Sequence, residues 1–261
     1  MIPIENLKVA LLQTELAWED SEANLRAFDA QLSDLKRPVD LVVLPEMFNT
    51  GFTMNAAEMA QDMEGEVVSW LEAKSTELDA AICGSAIIKE GDKYFNRMLY
   101  AVNGRVRLWY DKRHLFRMAG EDGVFSPGAQ RPMIELKGWR IMPRVCYDLR
   151  FPVWNRNYDC DLQIYIANWP RARVDAWDKL LMARAIENQC YVVGVNRVGQ
   201  DGNDIAYSGH SVVLDPKGNA LTPAENESNG WIYGTLDMEA LEEFRKKFPV
   251  YLDGDEFDIK L

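Results

Sequence analysis

The chain is poor in histidine, with only His114 and His210, and its four cysteines, Cys83, Cys146, Cys160 and Cys190, are scattered. Neither set matches a zinc-binding spacing or a disulfide framework. Unpaired thiols fit a reducing, cytoplasmic compartment, where a reactive thiol survives. No apolar run is long enough to span a bilayer. No basic stretch followed by an apolar one opens the chain, so no signal peptide is expected. The chain also lacks G-x-G-x-x-G, a phosphate-binding loop and G-x-S-x-G, and no cofactor is implied.

Positive charge is in short supply. Lys and Arg number 29 against 41 Asp and Glu, for a net charge of −12. That excludes nucleic acid and anionic membrane surfaces as natural partners. The deficit is uneven. Residues 104–199 carry sixteen Lys/Arg against ten Asp/Glu, a basic stretch inside an acidic protein. Surface ion pairs explain such a stretch. So does a pocket that receives an anion.

What is present is ample apolar material, 48% of 261 residues. No linker, repeat or low-complexity stretch divides the chain, which reads as a single domain over 1–261 with a short acidic tail from about residue 250. Short apolar runs predict buried strands near 8–13, 41–44, 81–87, 140–145, 162–166 and 191–195. Runs 97–102 and 105–110 flank Asn103-Gly104, a tight-turn signal. Runs 211–214 and 220–221 flank Asp215-Pro-Lys-Gly218. Helical periodicity marks 21–35, 66–78, 175–188 and 238–248. Strands alternating with helices, with hairpins inserted, read as an α/β fold with a mixed sheet.

Three apolar runs end on a reactive residue: Leu-Val-Val-Leu-Pro-Glu46, Tyr-Asp-Lys112-Arg-His-Leu-Phe and Arg-Val-Cys146-Tyr-Asp-Leu-Arg-Phe-Pro. A thiol can attack a carbonyl, a carboxylate can take and return its proton, and an ammonium can steady the oxyanion. Cys146 is expected at a strand-to-helix turn, exposed and facing the positive end of a helix dipole. The Tyr147 backbone N–H would then donate to the substrate oxygen. A Cys-His pair using His114 is the alternative base arrangement. Arg171 and Arg173 follow Asn168-Trp-Pro170, where a loop past a strand end can contact ligand. They are either exposed loop arginines or a grip for a carboxylate. Arg150 is expected in an internal salt bridge.

These segments resemble the nitrilase superfamily of carbon–nitrogen hydrolases, whose catalytic set is Glu-Lys-Cys. The resemblance runs from Val9 to about Phe248 and includes Glu121-Asp-Gly-Val-Phe-Ser-Pro-Gly128, where the family carries a second glutamate. Within the family, Cys146-Tyr-Asp-Leu-Arg-Phe-Pro152, Asn168-Trp-Pro170 and Ala183-Arg-Ala-Ile-Glu-Asn188 look most like the omega-amidases. The resemblance implies a four-layer αββα sandwich, a homodimer or higher homo-oligomer, and a tail that packs on the partner subunit. It implies Glu46, Lys112 and Cys146 as catalytic. Glu121 either orients Lys112 or contacts the amide nitrogen. Tyr147, Arg171 and Arg173 would bind substrate. The implied substrate is a small anionic amide, the monoamide of a dicarboxylic acid such as 2-oxoglutaramate, 2-oxosuccinamate or succinamate. N-carbamoyl amino acid hydrolysis and nitrile hydrolysis use the same three residues and compete with this reading. A catalytically silent binding protein would have lost one of them.

Overall fold

The computed structural model describes residues 4–222 and 227–260. The first half contains β1 (Leu7–Gln13), α1 (Ser21–Ser33), β2 (Leu41–Val43), α2 (Ala56–Met59), α3 (Glu66–Glu77), β3 (Ala81–Glu90), β4 (Lys93–Val102) and β5 (Arg105–Asp111). After it come β6 (Ile134–Leu136), β7 (Trp139–Val145), α4 (Pro152–Asn155), β8 (Leu162–Ala167), α5 (Val174–Asn188) and β9 (Tyr191–Asn196). The chain then forms β10 (Val198–Gln200), β11 (Ala206–Ser208), β12 (Val212–Leu214), β13 (Gly230–Leu236) and α6 (Met238–Lys247).

The strands form a six-stranded sheet, ordered β13-β1-β2-β3-β4-β5, a five-stranded sheet, ordered β12-β9-β8-β7-β6, and a two-stranded ribbon, β10-β11. Alternation along each strand explains the layering. Val9 and Leu11 of β1 and Leu41 and Val43 of β2 share one core with Ile141 and Val145 of β7, Ile164 and Ile166 of β8, and Val193 of β9. That core lies between the sheets. The intervening residues Ala10, Leu12 and Val42 pack with Leu25, Phe28 and Leu32 of α1 and Val67 and Leu71 of α3. On the other sheet, Tyr165, Ala167 and Val192 pack with Trp177, Leu181 and Ala185 of α5. The order is therefore helices, sheet, sheet, helix: an αββα sandwich. Each fully buried Leu or Ile contributes on the order of 1.5–3 kcal/mol.

Most expected elements form at the expected places. At Asn103-Gly104 both residues take positive φ, 52° and 71°, as a two-residue hairpin turn requires. β13 is an addition. Its Gly230 and Gly234 dilute the strand signal in Gly-Trp-Ile-Tyr-Gly-Thr-Leu. A Cβ at Gly234 would lie 2.9 Å from a Val213 methyl, so the glycine lets the two sheets approach. The acidic tail opens with a 3₁₀ turn, Val250–Asp253, and is then irregular and largely exposed, with Ile259 packed against the inter-sheet core.

Candidate active site

β1, β2 and β3 run parallel, as do β7, β8 and β9. Glu46, Cys146 and Asn168 all lie just past the carboxyl ends of β2, β7 and β8. That is where open α/β sheets place ligand groups. Lys112 directly follows β5, and Glu121 opens the 3₁₀ turn Glu121–Gly123.

Lys112 Nζ donates to Glu46 Oε1 at 2.9 Å and to both Glu121 oxygens at 2.9 Å. All three side chains are fully buried. Asn96 Nδ2 donates to Glu46 Oε1 at 2.8 Å, and the Asn168 backbone N–H to Glu46 Oε2 at 2.8 Å. The Phe116 backbone N–H donates to Glu121 Oε2 at 2.5 Å. Lys112 also lies 5.0 Å from the centre of the Phe52 ring. Burial opposes the Lys112 charge, but Glu121 and Glu46 outweigh it and hold the pKa above the usual lysine range. Burial lifts Glu121 above the usual carboxylate range; Lys112 opposes the rise and Glu46 adds to it.

Cys146 is the partly exposed cysteine, whereas Cys83, Cys160 and Cys190 are buried. Its φ is 46°, a left-handed conformation that costs a non-glycine residue about 1–3 kcal/mol. The sharp turn aims the side chain into a cavity of about 610 Å³. The expected helix is a five-residue 3₁₀ turn, Cys146–Arg150, followed by the four-residue α4. So short a run aligns few peptide dipoles. The thiol pKa accordingly goes up, not down: burial raises it most, Glu46 raises it further, and Lys112 opposes both. Asp148 fixes the turn. Its buried carboxylate accepts from the Val145 N–H at 3.2 Å, the His114 N–H at 2.9 Å and the Tyr110 hydroxyl at 2.7 Å.

His114 is not placed as a base for the thiol. Its Nδ1 pairs with Asp148 at 2.8 Å and its ring stacks on Phe151 at 3.7 Å between centres. Tyr147 lines the cavity, packed edge-on to Phe116 and Phe151. Arg173 lines it too, over the Phe116 ring. Arg171 does not: it is exposed and paired with Glu227 at 3.0 Å. The internal salt bridge expected of Arg150 is absent among the described residues. Arg150 lies over the Trp169 ring at 4.9 Å and lines the cavity. The contribution of Asn96 has no local signal. It sits mid-strand in β4, and only the sheet brings it to Glu46.

The carbon-nitrogen hydrolase family profile matches residues 8–246. The chain belongs to the carbon-nitrogen hydrolase family. Among relatives of this hydrolase, omega-amidase YafV of Yersinia enterocolitica is 49% identical over 97% of this chain and 99% of that one. The 2-oxoglutaramate amidase of Bacillus subtilis is 31% identical over 94% of this chain and 96% of that one. The crystal structure of XC1258 from Xanthomonas campestris, a CN-hydrolase superfamily protein with an arsenic adduct in its active site, superposes on this hydrolase with a TM-score of 0.95. It is 43% identical, over 98% of this chain and all of that one.

Proposed function

We infer that the protein is an amidase that hydrolyses the terminal amide of small dicarboxylic acid monoamides, of the 2-oxoglutaramate, 2-oxosuccinamate or succinamate type, releasing ammonia through a thioester on Cys146. The omega-amidase and 2-oxoglutaramate amidase relatives support the substrate class. The observation that carries the chemistry is the buried Glu46–Lys112–Glu121 cluster beside a thiol held at positive φ.

With both acids ionised, the cluster carries one net negative charge. A free thiolate would add a second in the same dry space, which is why the thiol holds its proton. The proton therefore leaves as the charge moves on to the substrate. Cys146 Sγ attacks the amide carbon, Glu46 takes the thiol proton, and the new oxyanion accepts hydrogen bonds from Lys112 and the Tyr147 backbone N–H. Glu46 passes the proton to nitrogen as the C–N bond breaks and ammonia leaves. Glu46 then takes a proton from water as it attacks the thioester. Collapse of that second intermediate releases the acid and restores the thiol. Glu121 holds Lys112 through both carboxylate oxygens and keeps its ammonium charged. The reading includes a cytoplasmic homodimer. Met182 and Ile186, exposed one turn apart on α5, supply apolar surface for docking.

Two measurements test this. Quenched turnover of succinamate should leave an acyl adduct on the Cys146 peptide by mass spectrometry. Ammonia should be released from omega-monoamides but not from nitriles or N-carbamoyl amino acids. A variant Cys146→Ala that still turns over would end the proposal.

A further inference from the structure

Five charged side chains line the cavity: Glu19, Lys112, Arg150, Arg173 and Asp201. Three already have carboxylate, hydroxyl or backbone partners. Lys112 sits between its two carboxylates. Glu19 accepts from the Thr53 hydroxyl, and from Asn55 Nδ2 at 3.3 Å. Asp201 accepts from the Tyr207 hydroxyl at 2.8 Å and from the backbone N–H groups of Asn203 and Ile205 at 2.9 and 3.0 Å. The two arginines differ. Among the described residues neither guanidinium has a hydrogen-bond or carboxylate partner, although both side chains are half-buried. Each guanidinium carries five N–H donors. In the open cavity water meets these donors, and a ligand carboxylate can replace it with charge-assisted hydrogen bonds.

Both arginines are nonetheless held in place. The Arg150 guanidinium lies 4.9 Å from the centre of the Trp169 ring, and that of Arg173 5.1 Å from the Phe116 ring. Aromatic faces hold the flat group while leaving its edge free to donate. One indole serves both: Trp169 carries Arg150 on its face, and its Nε1–H donates to the Arg173 carbonyl at 2.8 Å, fixing the turn that presents Arg173. Arg150 is also only one short 3₁₀ turn beyond Cys146, so a small molecule can touch both.

We propose that Arg150 and Arg173 together grip the free carboxylate at the substrate end remote from the scissile amide, with Trp169 as the residue that positions them. The assignment rests on the amidase reading and names the residues that select its anionic substrates. Two guanidinium forks match the two oxygens of one carboxylate. Arg171, spent on Glu227 outside the cavity, takes no part.

The test compares succinamate with butanamide, which has a methyl group where succinamate has its carboxylate. Wild type, Arg150→Met, Arg173→Met and Arg171→Met are assayed for ammonia release. Wild type should prefer the acid. In Arg150→Met and in Arg173→Met that preference in kcat/KM should fall about ten- to hundred-fold, mainly through KM, the scale of one charged hydrogen-bonded contact. Arg171→Met should keep it. Arg150→Lys and Arg173→Lys, which keep charge but lose the fork, should fall in between; they carry the test if a Met variant does not fold. Three outcomes overturn the assignment: no acid preference in wild type, an intact preference in both Met variants, or an equal loss towards acid and neutral amide, which a purely structural arginine would give. The last two leave the amidase reading standing, and the first keeps its chemistry but removes its anionic substrate class. Absence of ammonia from every amide in wild type would instead remove that reading and the clamp with it.

Discussion

Lys112→Met removes the ammonium that separates two buried carboxylates, and its cost can be worked from the structure. Lys112 Nζ sits 2.9 Å from Glu46 Oε1 and 2.9 Å from each Glu121 oxygen, with none of the three side chains exposed. Methionine roughly preserves volume, so the loss is mainly electrostatic. Removing one partner of a buried ion pair costs about 3–5 kcal/mol. At roughly 2–4 °C per kcal/mol, the melting midpoint at pH 8 should fall by roughly 6–20 °C. The deficit should shrink at pH 5. Burial already lifts Glu121 above the usual carboxylate range, with Glu46 adding to it, even though Lys112 opposes the rise. A raised pKa in the fold means that the folded chain binds the proton more tightly than the unfolded one, so acid favours the fold. In wild type the raised Lys112 pKa has its own consequence. Burial lowers it, the two carboxylates raise it more, and the resulting stability is complete below about 10.4 and fades as pH rises beyond that. Circular-dichroism melts of Lys112→Met, Glu121→Gln and the double variant at both pH values are the assay. The double variant should recover part of the loss, because one uncompensated charge is gone. Turnover of Lys112→Met should fall at least about 10²-fold. A wild-type midpoint at both pH values, or strictly additive losses in the double variant, would refute the reasoning.

Three more outcomes are expected. In Glu46→Gln the thiol should alkylate with a lower apparent pKa, since Glu46 helps to raise it, while turnover falls by about 10²–10⁴-fold; iodoacetamide rates against pH, beside ammonia assays, check both. Asn96→Ala should slow kcat about tenfold or more by deleting the 2.8 Å donor to the buried Glu46, and should lower the midpoint by roughly 3–12 °C, for a loss of about 1.5–3 kcal/mol; steady-state kinetics and melts decide it. The Asp148 pKa is lowered, because hydrogen bonding to His114, the His114 charge and the Tyr110 hydroxyl outweigh burial. Its stability is therefore present above about pH 3.9 and lost as pH falls below it. Asp148→Asn should melt lower at pH 7 and show a flatter acid limb, read from melts between pH 2 and 7.

What the sequence determined by itself is what short stretches can encode. Short continuous apolar runs set β1, β2, β3, β8 and β9, and the lack of a polar face on each already says that both faces are buried. Asn103-Gly104 specified a hairpin because its backbone demands positive φ. Glu46, Lys112 and Cys146 stood out because each ends an apolar run where a reactive group has no packing reason to be. The tertiary structure decided what depends on distance. Glu46 meets Asn168 across 122 residues and Asn96 across 50, so no local pattern could pair either with it. β13 escaped because its glycines have meaning only against the second sheet. The direction of the thiol pKa was likewise a property of burial and of Glu46, and a one-turn helix could not reverse it. Arg171 and Arg173 read alike as loop arginines, exposed or gripping a carboxylate, and Arg150 as half of an internal salt bridge. Only the fold gave Arg171 a carboxylate and, among the described residues, left the other two facing the cavity without one, because a charged side chain's role depends on which partners packing brings within hydrogen-bond reach.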